Sequence, residues 1–414
     1  MTNETLTQIP ASLATDPSST TIGVDSQHIN FADQMVDTEV LRVLHVINGQ
    51  HFSGAERVQT HLARCLPMFG VGVDFACLTP DRFPEHFDVP TSKLVDIAMK
   101  GRLDLAAARR VAKLARDGKY NILHAHTPRS AMVASIASRM TGLPWIYHVH
   151  SPAIADSTHA FRNRVNAWTE RLCLRNVAHQ IAVSNSLHDH TVAMGFAENS
   201  VTTVRNGVPG IRPARDQFPT VGGQWTLGIV ALQRPRKGLE VLLESLKMVR
   251  DQNLNVRLRC VGPFETPAYE AEIQSQIQRL KLQEHVEFTG FVNDIPTAMT
   301  QLDAMVLPSL FGEGLPMVVL EAMAAAVPVI ATYVEGTPEA VTHDVEGLLA
   351  QAGDATDLAK QITRLVTGEV DWNKMAQAAP ERHTAEFSDL AMACGVANVY
   401  KKVGSEILLP SRSA

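Results

Sequence analysis

From Leu41 onward, short apolar runs alternate with stretches whose apolar residues recur three or four positions apart. The first run is LRVLHVI (41–47). After a Gly-containing loop, Val58, Leu62, Cys65, Leu66 and Phe69 fall on one helical face. Strand-like VGVDFACL (71–78), a helical pattern from Leu103 to Ala115, strand NILHAH (121–126), a helix from Ala131 to Met140 and strand WIYHVH (145–150) follow. A helix near Val165 to Leu174 then leads to strand QIAVS (180–184). Apolar strands that alternate with amphipathic helices imply βαβ units, and strands without polar alternation imply a parallel sheet covered on both faces.

The rhythm lapses at 207–224, where three Pro and four Gly mark an interdomain linker. It restarts with TLGIVAL (226–232), a helix at 238–250, VRLRCVG (256–262), a helix at 268–281, VEFTG (286–290), AMVLPS (304–309), a helix at 315–326 and PVIAT (328–332). A last helix is expected from Leu390 to Val403. The predicted fold is α/β: two doubly wound Rossmann-like domains, 40–206 and 225–385, facing across a cleft, with a C-terminal helix and tail at 386–414. Residues 1–39 are rich in Thr, Ser, Asp and Asn, bury too little apolar surface to offset ordering entropy, and read as a disordered extension. In such folds ligands bind at the carboxyl ends of the strands.

Composition narrows the function. The 414 residues are 45% apolar and 19% charged, with a formal net charge of -6. A nucleic-acid partner is disfavoured, because phosphate neutralisation needs clustered Lys and Arg. Five scattered cysteines without Cys-x-x-Cys spacing fit buried thiols in a reducing cytoplasm rather than disulfides or a zinc site. No basic-then-apolar leader and no run of about 18 apolar residues is present, so neither a signal peptide nor a transmembrane helix is expected. That places the protein in the cytoplasm, with peripheral attachment at the inner face of a membrane left open.

Four segments carry candidate chemistry. In Phe311–Glu321, Gly312 and Gly314 permit a tight turn and close ligand approach, and Pro316 suits a helix start whose free N–H groups attract an anion. Glu313 and Glu321 could accept hydrogen bonds from sugar hydroxyls; Glu321, embedded among apolar neighbours, would be expensive without a partner. The plain alternative is a solvated Glu313 and an ordinary helical Glu321. Arg234, Arg236 and Lys237 follow a strand and suit a diphosphate, against the alternative of a solvated basic turn. In the first loop, Ser53 and Gly54 precede a helix; the pattern is neither G-x-G-x-x-G nor a P-loop, and Glu56 and Arg57 could simply be first-turn residues. Finally, His124 and His126 share one strand face, as do His148 and His150. His126 and His150 stand at strand ends, where a polar cleft role is favoured over a metal site; His124 and His148 read as satisfied core residues. The chain has no Asp-x-Asp pattern for a divalent ion on a diphosphate and no G-x-S-x-G elbow, so no metal and no cofactor is expected.

Together these segments resemble the family-4 retaining glycosyltransferases of the GT-B fold, over roughly residues 41–404. The Glu313–Glu321 pair matches the family's Glu-x7-Glu motif, flanked by VRNGV (204–208), RPRKG (234–238), EGTPEAV (335–341) and EGLL (346–349). The resemblance implies that Glu313 contacts donor-sugar hydroxyls and Glu321 the ribose. It places backbone N–H groups around Gly314, Leu315 and Pro316 near sugar and phosphate, although Pro316 itself has none. Arg234 and Lys237 would hold the diphosphate, with Arg236 a competitor. His150 would sit near the reacting sugar with His126 close by, and Gly54 would face the diphosphate or the acceptor. Two departures stand out: Ala231-Leu232 replaces a common Gly-Arg, and Ser53-Gly54 replaces Gly-Gly. The implied activity is metal-independent transfer of a sugar, with retention, from a nucleotide sugar to a glycan, lipid-linked or small-molecule acceptor in polysaccharide or cell-envelope biosynthesis. The rivals are a nucleotide-sugar epimerase and a degenerated nucleotide-sugar-binding module on the same fold. An NAD-dependent dehydrogenase is disfavoured by the missing glycine fingerprint.

Overall fold

The computed structural model describes residues 41–50, 52, 54–101, 104–151, 171–211 and 219–408, with side chains described to 405. The extension at 1–39, Ser53, most of the helix expected near 165–174 and the middle of the linker lie outside the described residues. Two parallel sheets are present. The first takes the order β3-β2-β1-β4-β5-β6-β7 and is built from β1 (Leu41–Ile47), β2 (Val71–Cys77), β3 (Leu94–Asp96), β4 (Ile122–Ala125), β5 (Trp145–Val149), β6 (His179–Ala182) and β7 (Val201–Thr203). The second, β10-β9-β8-β11-β12-β13, contains β8 (Trp225–Val230), β9 (Val256–Val261), β10 (Val286–Gly290), β11 (Ala304–Leu307), β12 (Val329–Thr332) and β13 (Gly347–Ala350). Each sheet reverses direction of growth beside its first strand, between β1 and β4 and between β8 and β11, which opens a crevice at the carboxyl ends there. The doubly wound α/β architecture expected from the apolar rhythm is therefore present twice.

The crossover helices form because their apolar residues return to one face. In the helix Leu239–Asp251, Leu239, Leu242, Leu243, Leu246 and Val249 are all buried. Each large side chain so buried contributes roughly 1.5–3 kcal/mol. Elements passed over in the sequence include the short β3, β7 and β13 and the helix Asn185–Ala193, whose periodicity is weak, and also the helix Ala355–Val366, although Leu358, Ile362, Leu365 and Val366 return to one buried face. The helix expected at 315–326 is shorter, Met317–Ala324, with Pro316 in extended backbone at its N-cap. The thiols are mixed rather than uniformly buried: Cys65, Cys77 and Cys260 are buried, Cys173 is half-buried and Cys394 is exposed.

The final helix, Asp389–Leu408, belongs structurally to the first domain. Gly395 lies so close to Val204 that an added Cβ would meet its Cγ1 at 2.8 Å, and the buried Tyr400 reaches His45 and His124. Val208 bridges to Ser388, so the chain enters and leaves the second domain side by side. No helix among the described residues is long and apolar enough to cross a membrane.

Candidate active site

The turn Arg234–Gly238 follows β8, and the loop 308–316 follows the neighbouring β11. Gly238 has φ +69°, and a Cβ there would lie 2.1 Å from the Pro308 carbonyl oxygen. Only glycine lets the basic turn approach this closely. The approach delivers Lys237 Nζ to Glu313 Oε1 at 2.5 Å, and Ser309 Oγ donates to the same oxygen at 2.6 Å. Arg236 donates to the carbonyls of Phe311 (3.3 Å) and Gly312 (3.1 Å), with its guanidinium 3.6 Å from Glu313. Arg234 points elsewhere, to Glu265 at 3.5 Å. Of the two competing arginines, Arg236 is thus the one beside Glu313.

Glu313 is buried, not solvated. Burial pushes its carboxyl up, but the charges of Lys237 and Arg236 and the Ser309 hydrogen bond outweigh that, and its pKa lies below the ordinary range. Burial holds the Lys237 ammonium below its usual value, against the attraction of Glu313. The loop's shape is imposed by Glu335, whose carboxylate accepts from the backbone N–H of Gly312 (3.0 Å) and Glu313 (2.9 Å). Glu335 itself sits at φ +32°, an uncommon conformation for a residue with a side chain.

Glu321 is buried on the helix Met317–Ala324 and has the partner its apolar setting demands: the guanidinium of Arg57, in the first turn of the helix Gly54–Cys65 of the other domain. Burial raises the Glu321 pKa, and Arg57 counteracts part of that rise. Arg57 is therefore more than a first-turn residue, and only the fold brings it to Glu321.

The two domains meet at these loops. Gly314 packs on the first sheet so closely that a Cβ would fall 2.1 Å from the His150 carbonyl oxygen. Gly54 faces Met317, with a Cβ 3.5 Å from its Cγ. Leu315 is buried and its carbonyl accepts from Asn206 Nδ2 at 3.0 Å. Glu339 accepts the backbone N–H groups of Asn185 and Ser186, both at 2.8 Å, at the start of the helix Asn185–Ala193. That carboxylate satisfies N–H groups with no partner inside their own helix.

The histidines come together as a stack. His148 lies on His150 with ring centroids 4.4 Å apart and 14° between planes, and on His124 at 5.3 Å and 5°. His45 from β1 joins them, which strand spacing alone did not single out. His126 is buried with both nitrogens engaged, Nδ1 to His150 Nε2 and Nε2 to His45 Nδ1, each at 3.1 Å. It backs His150 rather than presenting itself in a cleft. His124 and His148 are both buried, but neither is the fully satisfied core residue expected: among the described residues, His124 Nε2 and both ring nitrogens of His148 have no hydrogen-bond partner. Ligand nitrogens of His45, His124 and His126, and of His126, His148 and His150, lie within 4.8 Å of one another.

Comparison with known proteins bears on the family and the fold. Residues 52–209 match the model of Glycosyltransferase Family 4, and residues 211–382 match Glycosyl transferases group 1. A phosphatidyl-myo-inositol mannosyltransferase of Mycobacterium leprae is 27% identical over 349 residues, covering 80% of this chain and 89% of its own. A UDP-Gal:alpha-D-GlcNAc-diphosphoundecaprenol alpha-1,3-galactosyltransferase of Escherichia coli is 23% identical over 361 residues, with the same coverage of 80% and 89%. The solved structure of Anabaena HepE in complex with UDP superposes with a TM-score of 0.74 at 22% identity, over 87% of this chain and 100% of that one. With one family model over β2–β7 and the other over the whole second sheet, and the basic turn and both glutamates inside the latter, the chain belongs to the family-4 glycosyltransferases and has their GT-B fold.

Proposed function

We propose that the protein transfers a sugar from a nucleoside-diphosphate sugar to a hydroxyl of a lipid-linked or polysaccharide acceptor, with retention at the anomeric carbon and without a metal ion. The observation that carries this reading is the buried Glu313 carboxylate held by Lys237, Arg236 and Ser309 in the loop after β11, whose next residue, Gly314, packs on the His150 carbonyl of the first sheet. Carboxylates accept from vicinal hydroxyls, and a cluster of cations takes a diphosphate. Glu313 would hold the donor sugar, Glu321 the ribose, and the N–H groups after Gly314 the phosphate edge. Lys237 and Arg236, with Arg234 at the rim, would neutralise the charge that grows on the diphosphate as its bond to the anomeric carbon breaks. The acceptor oxygen would bond to that carbon on the face the diphosphate leaves, its proton passing to the departing phosphate oxygen. His150 would line the sugar's site from the other domain, and Gly54 would face the diphosphate or the acceptor. A cytoplasmic donor pool and an acceptor at the membrane's inner face fit lipid-linked substrates. The named lipid acceptors of the two relatives support that class.

The test is a thermal-shift screen against UDP, GDP, ADP and their sugar conjugates with EDTA present, followed by the anomeric configuration of the product by NMR. A ligand that binds only the native state must raise the melting temperature. Stabilisation by one nucleotide family in EDTA and an axial-to-axial outcome are expected. Donor binding that requires a divalent ion, or an inverted product, overturns the reading.

A further inference from the structure

A continuous string of polar contacts runs from the last helix to the domain junction. Tyr400 Oη is 2.6 Å from His124 Nδ1 and 3.0 Å from His45 Nε2. His45 Nδ1 is 3.1 Å from His126 Nε2, and His126 Nδ1 is 3.1 Å from His150 Nε2. Burial pulls the pKa of His45 down to about 3 and of His150 to about 4, pulls those of His124, His126 and His148 far below the ordinary range, and keeps the Tyr400 phenol protonated. At neutral pH each ring therefore has one N–H and one lone pair.

Such a string is satisfied at every contact only if all its protons point the same way. If the phenol instead accepted from both His45 and His124, its own O–H would be left unused. Two directions remain, and they differ at one atom. With the protons pointing away from the junction, His124 carries its hydrogen on Nε2, a buried nitrogen without a partner among the described residues. With the protons pointing toward the junction, His124 Nδ1 donates to Tyr400, and Nε2 is only a bare lone pair. Orphaned N–H groups are the rarer and costlier case in protein interiors. His148 uses neither nitrogen in the string and does not alter the choice.

We infer that Tyr400, acting through His45 and His126, fixes the tautomer of His150, so that Nε2 accepts from His126 and Nδ1–H is left as the donor His150 offers at the junction. Tyr400 and the two inner histidines are positioning residues. The consequence for catalysis rests on the proposed role of His150 beside the donor sugar; the direction of the string does not. A sugar hydroxyl or ring oxygen would then meet His150 as an acceptor.

The experiment is long-range 1H–15N NMR on histidine-labelled protein, paired with kinetics of Tyr400→Phe. In the wild type, His45, His126 and His150 are expected as Nδ1–H tautomers; Nε2–H at His45 and His126 overturns the inference without any variant. In Tyr400→Phe, which deletes one hydroxyl, the His150 signal is expected to become a mixture of tautomers. The kcat should fall about fivefold to tenfold, the worth of one neutral hydrogen bond, with the donor KM within about twofold. An unchanged His150 tautomer and unchanged kcat overturn it. A wild type that shows the ordered tautomers but no transfer to any acceptor supports the string and refutes the functional reading instead.

Discussion

Glu313→Gln removes one charge and almost no volume, so its effects separate electrostatics from packing. The Glu313 side chain is 7% exposed and that of Lys237 13%, with 2.5 Å between the charged atoms. Losing the carboxylate takes from Lys237 the charge it meets at 2.5 Å and from Arg236 one at 3.6 Å, while Ser309 keeps an acceptor in the amide oxygen. Removing one member of a buried pair costs about 3–5 kcal/mol; the lowered Lys237 pKa, which lets that ammonium shed its proton more readily, places the expected loss near the lower end. Transfer suffers separately. A hydrogen bond from a sugar hydroxyl to a carboxylate is worth about 1.5–3 kcal/mol, so kcat/KM should fall roughly tenfold to 100-fold per bond lost. Urea unfolding and release of nucleoside diphosphate measure the two effects. A cycle with Lys237→Met completes the test, because the double variant should recover about 2 kcal/mol relative to the sum of the singles. A kcat/KM within about threefold of wild type would sink the placement of Glu313 at the sugar. Additive stabilities would sink the claim that its charge is held by Lys237.

Two further outcomes follow from the domain junction. Arg57→Ala strips Glu321 of its partner while burial still raises its pKa. The folded state then keeps the Glu321 proton at pH values where the unfolded chain has lost it, so this group's contribution is present at low pH and is lost as pH rises through the folded value. The variant should lose about 3 kcal/mol at pH 8 and visibly less at pH 5.5; an equal loss at both in chemical unfolding contradicts the pairing. Gly314→Ala places a methyl 2.1 Å from the His150 carbonyl oxygen, a contact only a shift of the loops can relieve. It should lower kcat at least tenfold while each domain's secondary structure by circular dichroism is retained, and wild-type turnover would mean that this approach is not needed for transfer.

The sequence made the two sheets legible because buried parallel strands such as Ala304–Leu307 and Val329–Ala331 are unbroken apolar runs, and β1 is interrupted only by His45 between Val43 and Ile47. The second-domain half of the site was also legible, since Glu313, Lys237 and Arg236 lie in loops where polar residues and glycines stand out from their neighbours. What escaped reading depends on chain separation. Tyr400 is 355 residues from His45, and in its own segment it is one more apolar helix residue. Arg57 acquires meaning only when the junction brings Glu321 to it, and Arg236 rather than Arg234 stands beside Glu313 because Gly238 lets the turn approach Pro308. Period and composition describe neighbours along the chain; they carry no information about which loop a distant guanidinium will meet.

These pairings bear on how a donor would bind. Both motif glutamates already face cations of the protein, Glu313 facing Lys237 and Glu321 facing Arg57. A buried carboxylate cannot stand without such compensation, so each glutamate has its counter-charge before any ligand arrives. In the proposed reading a nucleotide sugar exchanges partners rather than adding charge. Its diphosphate takes over the cations of the basic turn, while its sugar and ribose hydroxyls donate to the carboxylates the cations release. Each half of the exchange is unfavourable alone. A free sugar would find Glu313 committed to Lys237, and free pyrophosphate would pull Lys237 away and strand Glu313 in a dry loop. Only a molecule with both functions, at the spacing of an anomeric phosphate ester, satisfies both. Selectivity for an intact donor thus follows from the Lys237–Glu313 pair itself. Glu313→Gln should accordingly raise affinity for free pyrophosphate relative to the sugar nucleotide, and calorimetric titration of both ligands into the two proteins decides it. A preference for the intact donor as strong in the variant as in the wild type would show that the selectivity lies elsewhere.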